Sequence, residues 1–261
     1  METKPRLSSE AVKNNEALIQ GHISSLSKTD PDLIEVFDNF AFDEVLRHST
    51  LDAKTSLMII IASTIATQSL SEFKIIVGAA LSTGVSAVEV KEILYQSVAY
   101  VGIARALDFI HTANKIFESR GIKLPLESQS TTDSENRFEK GLALQKAIFG
   151  DNIDKMYQNS PADLLHFQQF LSANCFGDYQ TRTGLDIKTR ELITFAILIS
   201  LGGVEPQVKG HVQGNLNVGN TRTTLISAVT QLLPYIGYPR SLNALQCINE
   251  IAPPPSKKNN I

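Results

Sequence analysis

The side chains of this chain best equipped for chemistry are its two cysteines and five histidines, and their spacing excludes more than it offers. Cys175 and Cys247 stand far apart, and neither has a second cysteine or a histidine at metal-ligand spacing. No disulfide framework and no metal site is expected, and the usage fits a reducing compartment. His22, His48, His111 and His166 have no partner spacing and receive no role. His211, like any imidazole, titrates in the range where protons are exchanged near neutrality, and taken alone it is unremarkable. Upstream, Glu191 precedes Leu192-Ile193-Thr194-Phe195-Ala196-Ile197. That run puts its carboxylate beside an apolar helical surface, where burial makes a carboxyl a better proton acceptor. A Glu-His pair can pass one proton to or from a substrate carbon, chemistry worth roughly a hundredfold to ten-thousandfold in rate. Taken singly, each has a plainer reading: a glutamate near a helix start as partner of the positive dipole end, and a structural histidine.

Other polar side chains could reach such a site. Cys175, in Asn174-Cys175-Phe176-Gly177, reads first as a small buried thiol. Tyr179 and Arg182, in Asp178-Tyr179-Gln180-Thr181-Arg182-Thr183-Gly184, read first as a solvated loop and second as substrate contacts. Arg105 and Arg240 each follow a Tyr-x-Gly element and read as residues of fold or interface.

The elements that must position these residues are helices. Val88, Ile93, Leu94, Val98 and Val101 recur on one helical face behind Ser86-Ala87-Val88-Glu89, which has the form of a capping box. Ile187 to Leu201 is apolar nearly all round, which predicts burial between helices. Gly84 and Gly219 fall where a preceding helix should stop in a left-handed conformation. No convincing alternating run marks a strand. With 261 residues and 43% hydrophobic content, the chain can bury a sizeable core. Its formal charge of -3, with both signs interspersed, offers no basic stripe for nucleic acid or anionic lipid. Its longest apolar stretches, such as Leu57 to Ile61, are too short to span a bilayer. A cytoplasmic protein is expected.

The chain also repeats itself. Leu51-Asp52-Ala53-Lys54-Thr55 matches Leu185-Asp186-Ile187-Lys188-Thr189 at four of five positions. Ala80-Leu81-Ser82-Thr83-Gly84 then aligns with Asn215-Leu216-Asn217-Val218-Gly219, and Tyr100-Val101-Gly102 with Tyr235-Ile236-Gly237. One order at nearly one offset argues for duplication. Ahead of each copy, Asp30-Pro31 and Ser160-Pro161 read as an N-cap followed by proline at a helix start. The organisation expected is an arm and lead-in helix over 1–29, frayed up to Asn15, a first unit over 30–120 and a second over 138–251. The polar linker 121–137 has few residues to anchor a core, and the proline-rich tail 252–261 should be exposed.

Leu185-Asp186-Ile187-Lys188-Thr189-Arg190-Glu191-Leu192, then Gly202-Gly203-Val204-Glu205-Pro206-Gln207, His211 and Asn217-Val218-Gly219, resemble the carboxymuconolactone decarboxylase and alkylhydroperoxidase-D-like family. The resemblance covers both repeats. It implies an all-α fold of two tandem helical units, sites near contacts between units, and symmetric assemblies. Three tandem chains would reproduce a six-unit ring, so a homotrimer is expected. In the peroxidase branch a Glu, a CxxC pair and a His activate a thiolate. That motif maps here onto Glu191, Val204, Gln207 and His211, and both sulfurs are missing. A valine cannot ionise or attack a peroxide. In the first repeat Leu57 stands at the Glu position and Ile75 or Ile76 at the His position, so no relay survives there.

The expectation is a cofactor-independent lyase or related proton-transfer enzyme on a small lactone or carboxylic acid. Glu191 serves as base and His211 as acid, with Gln207, Tyr179, Arg182 and Cys175 as substrate contacts. A scaffold or ligand-binding role, marked by a site filled with packed side chains, is the first alternative. Peroxide reduction by Cys175 is the second.

Overall fold

The computed structural model describes residues 4–20 and 22–254, and among them every regular element is helical. A lead-in comprises α1 (Ser9–Ile19) and α2 (Leu26–Thr29). The first unit runs through α3 (Pro31–Asn39), a π-helical turn (Phe40–Glu44), a 3-10 turn (Leu46–His48), α4 (Ala53–Ala66), α5 (Leu70–Ser82), α6 (Ala87–Val101) and α7 (Ile103–Ser119). In the second half, α8 (Arg137–Phe149) and α9 (Asn152–Gln158) precede α10 (Leu165–Phe170), a longer π-helical segment (Leu171–Gln180), α11 (Ile187–Leu201), α12 (Glu205–Asn217) and α13 (Arg222–Ile251). α13 breaks at Gly237, φ 76°, the place where Gly102, φ 81°, divides α6 from α7. The chain thus runs twice through one helical order.

Local chemistry explains where the two central helices begin. Asp52 accepts a hydrogen bond from the Thr55 amide at 2.8 Å, and Asp186 accepts one from the Thr189 amide at 3.0 Å. Each satisfies a donor that the first helical turn leaves open. Beyond these caps the helices lose all polarity of face: Ser56 to Ala66 and Arg190 to Ser200 are buried without a gap. α4 and α11 pack against each other through the middle of the molecule, where Ser200 Oγ donates to Ser63 Oγ at 2.9 Å. Around them the two units exchange cover. α6 of the first unit lies on α11 and the second π-helical segment, while α13 of the second unit lies on α4 and the first π-helical turn.

Where the second π-helical segment meets α8, the approach is closer than any side chain allows. A Cβ on Gly141 would stand 1.9 Å from the Ser172 carbonyl oxygen, and one on Gly177 would stand 2.1 Å from that of Arg137. Exposed apolar side chains recur at matching places in the two units. Leu33 and Val36 on α3 correspond to Phe167 and Phe170 on α10, and Ile103 and Leu107 on α7 to Tyr238 and Leu242 on α13.

The structure differs from the sequence reading in three places. The expected frayed arm up to Asn15 contains most of α1, held down by buried Ala11 and by Asn14 Nδ2 donating to the Phe42 carbonyl at 2.7 Å. Ser160-Pro161 forms a turn, closed by the Leu164 amide on the Pro161 carbonyl, and α10 begins only at Leu165. The segment 121–137 has no helix before Arg137, yet Ile122, Leu124 and Leu126 pack against the core and the Thr183 amide donates to the Gln129 carbonyl at 2.9 Å. Residues 1–3 of the arm and 255–261 of the tail lie outside the described residues. Among the described residues no helix is long and apolar enough to cross a membrane.

Candidate functional site

Glu191 sits in the first turns of α11 and His211 in the middle of α12, and the packing of these two helices brings them together. His211 Nδ1 lies 2.9 Å from Glu191 Oε2. The carboxylate is fully buried, and the imidazole keeps 14% side-chain exposure. Asn215, one turn beyond His211, ties the helices at this level: its Nδ2 donates to the Glu191 carbonyl at 2.9 Å and to the His211 carbonyl at 2.7 Å. Gly214 makes the approach possible, since a Cβ there would stand 2.7 Å from Glu191 Oε2 and 2.8 Å from Phe149. The second carboxylate oxygen, Oε1, is buried without a hydrogen-bond partner among the described residues.

His211 opens onto a cavity of about 430 Å³. Its walls are mostly apolar, including Phe149, Ile153, Met156, Leu171 and Phe176, with Cys175, Gln207 and Tyr100 among the polar members. Phe149 packs edge-on to the imidazole at 5.3 Å between ring centroids, and Tyr100 does so at 6.2 Å. A small, largely apolar cavity with a few convergent polar groups is the usual form of a small-molecule site.

Tyr100 is the polar member that sequence reasoning missed. It comes from α6 of the first unit, and its Oη accepts from Thr194 Oγ1 at 3.2 Å and from Gln180 Nε2 at 3.1 Å. Burial pushes its phenol well above the ordinary range, with the nearby Cys175 and Glu191 adding to the effect. The group therefore stays a neutral phenol, and its own O–H has no acceptor among the described residues. The repeated Tyr-x-Gly element was a signal for it, but nothing local says that a first-unit residue reaches a second-unit cavity.

The remaining candidates divide. Cys175 and Gln207 line the cavity. Burial pushes the Cys175 thiol up to about 12, with the Tyr100 hydroxyl at 3.9 Å lowering it and the Glu191 charge raising it. Tyr179 and Arg182 are absent from the lining. Arg182 reaches the other way, donating through Nε and Nη2 to the Glu92 carboxylate at 3.0–3.1 Å, because that buried acid needs cationic partners. In the first unit, Leu57 and Ile76 are 2% and 1% exposed and form packed core. Among the described residues no three of His, Cys, Asp and Glu converge as metal ligands.

Comparison with known proteins bears on the whole chain. The profile of the carboxymuconolactone decarboxylase family matches twice, at residues 31–115 and 166–250. A 4-carboxymuconolactone decarboxylase from Acinetobacter baylyi is 28% identical over 120 residues, 46% of this chain and 89% of that protein. A nitrosuccinic acid decarboxylase from Metarhizium robertsii is 25% identical over 123 residues, again 46% of this chain and 85% of that protein. A crystal structure from Burkholderia xenovorans, provisionally described as a gamma-carboxymuconolactone decarboxylase subunit, superposes with a TM-score of 0.57 at 21% identity. It covers 94% of this chain and 96% of its own, and at that identity it speaks for the fold alone. With both of its halves matched by one family profile, the chain belongs to the carboxymuconolactone decarboxylase family and carries two copies of the family unit in tandem.

Proposed function

We propose that the protein is a decarboxylase of a small carboxylic acid, with its proton chemistry run by Glu191 and His211 in the cavity beneath Tyr100. The observation that carries this reading is the 2.9 Å contact between a fully buried carboxylate and an imidazole that opens onto a mostly apolar cavity. With Nδ1 on Glu191, Nε2 is the ring nitrogen available to a substrate. Glu191 accepts from Nδ1–H, orients the ring and stabilises the imidazolium when it forms.

The apolar walls give the substrate carboxylate a poorly solvated position, which favours its loss as neutral carbon dioxide. As the C–C bond breaks, its electron pair passes into an adjacent unsaturated group of the substrate. The Tyr100 O–H is placed to donate to an oxygen where that charge develops. Imidazolium Nε2–H then protonates the carbon, leaving neutral His211 to regain a proton from water. Gln207, on the cavity wall, supplies an amide for a second polar contact. The two decarboxylases similar to this chain are named for 4-carboxymuconolactone and nitrosuccinic acid, which are the first substrates to test.

A scaffold role would call for a site filled by side chains, and the cavity beside His211 counts against it. Peroxide reduction calls for a thiolate, and a thiol pushed up to about 12 holds its proton at neutral pH. Carbon dioxide release from 4-carboxymuconolactone and from nitrosuccinate should be measured with wild type, His211→Ala and Glu191→Gln. Each substitution should cut kcat by roughly a hundredfold to ten-thousandfold with circular dichroism unchanged. Turnover of a confirmed substrate by His211→Ala at the wild-type rate would overturn the assignment.

A further inference from the structure

A second cavity, of about 610 Å³, lies between α6, α7 and the segment 121–136, and no residue lines both it and the His211 cavity. Val88, Leu124, Pro125 and Leu126 form its apolar wall. Its polar side is formed by Lys91, Glu92, Tyr95, Asn114 and Arg182.

The charges on that side do not balance. Glu92 is 1% exposed and is shared by Arg182 and by the buried Arg190, at 3.0 and 2.8 Å. Lys91 is 8% exposed and makes no ion pair among the described residues; its Nζ donates to Asn114 Oδ1, and two N–H groups have no partner among those residues. Two arginines therefore share one buried carboxylate, and the Lys91 ammonium on the same wall has no carboxylate partner among the described residues. The other acids in reach are Glu127, exposed on the rim, and Asp186, an exposed cap that acts on Arg190. Burial lowers Lys91 from its ordinary range, and no acidic neighbour offsets it. Lys91 Nζ and Arg182 Cζ also stand 5.7 and 5.1 Å from the centre of the Tyr95 ring. The ring softens the cations without neutralising them. A buried, unpaired ammonium beside an open cavity is costly unless an anion can meet it.

The geometry points to a second ligand site, separate from the catalytic one, in which Lys91 and Arg182 hold the carboxylate of a small organic acid and Val88, Leu124 and Leu126 cover its apolar body. Lys91 supplies the two spare N–H groups. Arg182 supplies Nη1, which Glu92 leaves free. The volume falls in the range of small-molecule pockets and admits an aromatic acid.

Benzoate is the probe, followed by isothermal titration calorimetry on the full chain, with benzamide as its neutral counterpart. Benzoate should bind and benzamide should not. Lys91→Met removes the ammonium, and Asn114→Asp gives it a permanent counter-ion while keeping the lysine. Each should weaken benzoate about tenfold or more, whereas His211→Ala should leave this binding in place. No heat at about 10 mM benzoate, weaker than any useful affinity, would overturn the proposal. So would binding unaffected by both Lys91→Met and Asn114→Asp, or binding lost in His211→Ala alone, which would put benzoate in the catalytic cavity.

Discussion

At the scale of single residues, the contact between Glu191 and His211 depends on an atom that is missing. Gly214 leaves the space that Glu191 Oε2 occupies, with a would-be Cβ only 2.7 Å away, so Gly214→Ala must push the carboxylate off His211. The expected outcome is a loss of kcat close to that of Glu191→Gln together with a lowered melting temperature, because the methyl also meets Phe149, both measured side by side. Cys175 makes the opposite kind of prediction. Its thiol is raised from about 9 to about 12 by burial, so its contribution to stability is complete below about pH 9 and falls away as pH climbs through about 12. Iodoacetamide at pH 8 should therefore leave Cys175 unmodified in the folded protein and label it in urea, as mass spectrometry of the peptide would report. Glu191 and His211 were legible in the sequence because the family spacing carries over. Arg182 was expected beside this pair and instead bonds Glu92 away from the His211 cavity, since that partner lies 90 positions away and no local pattern links them. Tyr100 escaped for the same reason.

At the scale of elements, the helices legible in advance are those whose composition leaves no choice. Ile187 to Leu201 has no polar face, and only burial on all sides satisfies it. The two π-helical segments were not legible, because a one-residue widening of a helix has no side-chain signature of its own. The second of them carries Cys175 and Phe176 into the cavity wall, and the Gly141–Gly177 contact with α8 holds it there. A methyl at Gly141 meets backbone that cannot rotate away. Gly141→Ala should cost about 1–3 kcal/mol in urea unfolding, more than an overpacked position lined by flexible side chains, and should raise KM as the cavity wall shifts.

At the scale of the whole molecule, the duplication was plain in the sequence but the exchange of cover was not, because which helix lies on which is decided by packing across the repeat. The exposed apolar positions shared by both units, Leu33 and Val36 with Phe167 and Phe170, Ile103 and Leu107 with Tyr238 and Leu242, form matching faces suited to self-association. We propose that they pair chains into a closed homo-oligomer. Light scattering should then show an assembly, three chains being the expected number, that Leu107→Asp with Leu242→Asp reduces toward single chains. A monomeric wild type would end that idea. The placing of Tyr100 over the second unit's cavity has a further bearing, on inheritance. In a pair of identical single units, any change to α6 falls on both sites at once. Once two units share one chain, a first unit whose Leu57 and Ile76 are packed core can still matter through its α6, because Tyr100 lines the cavity of its neighbour. A helix can thus matter most to a cavity that lies outside its own unit.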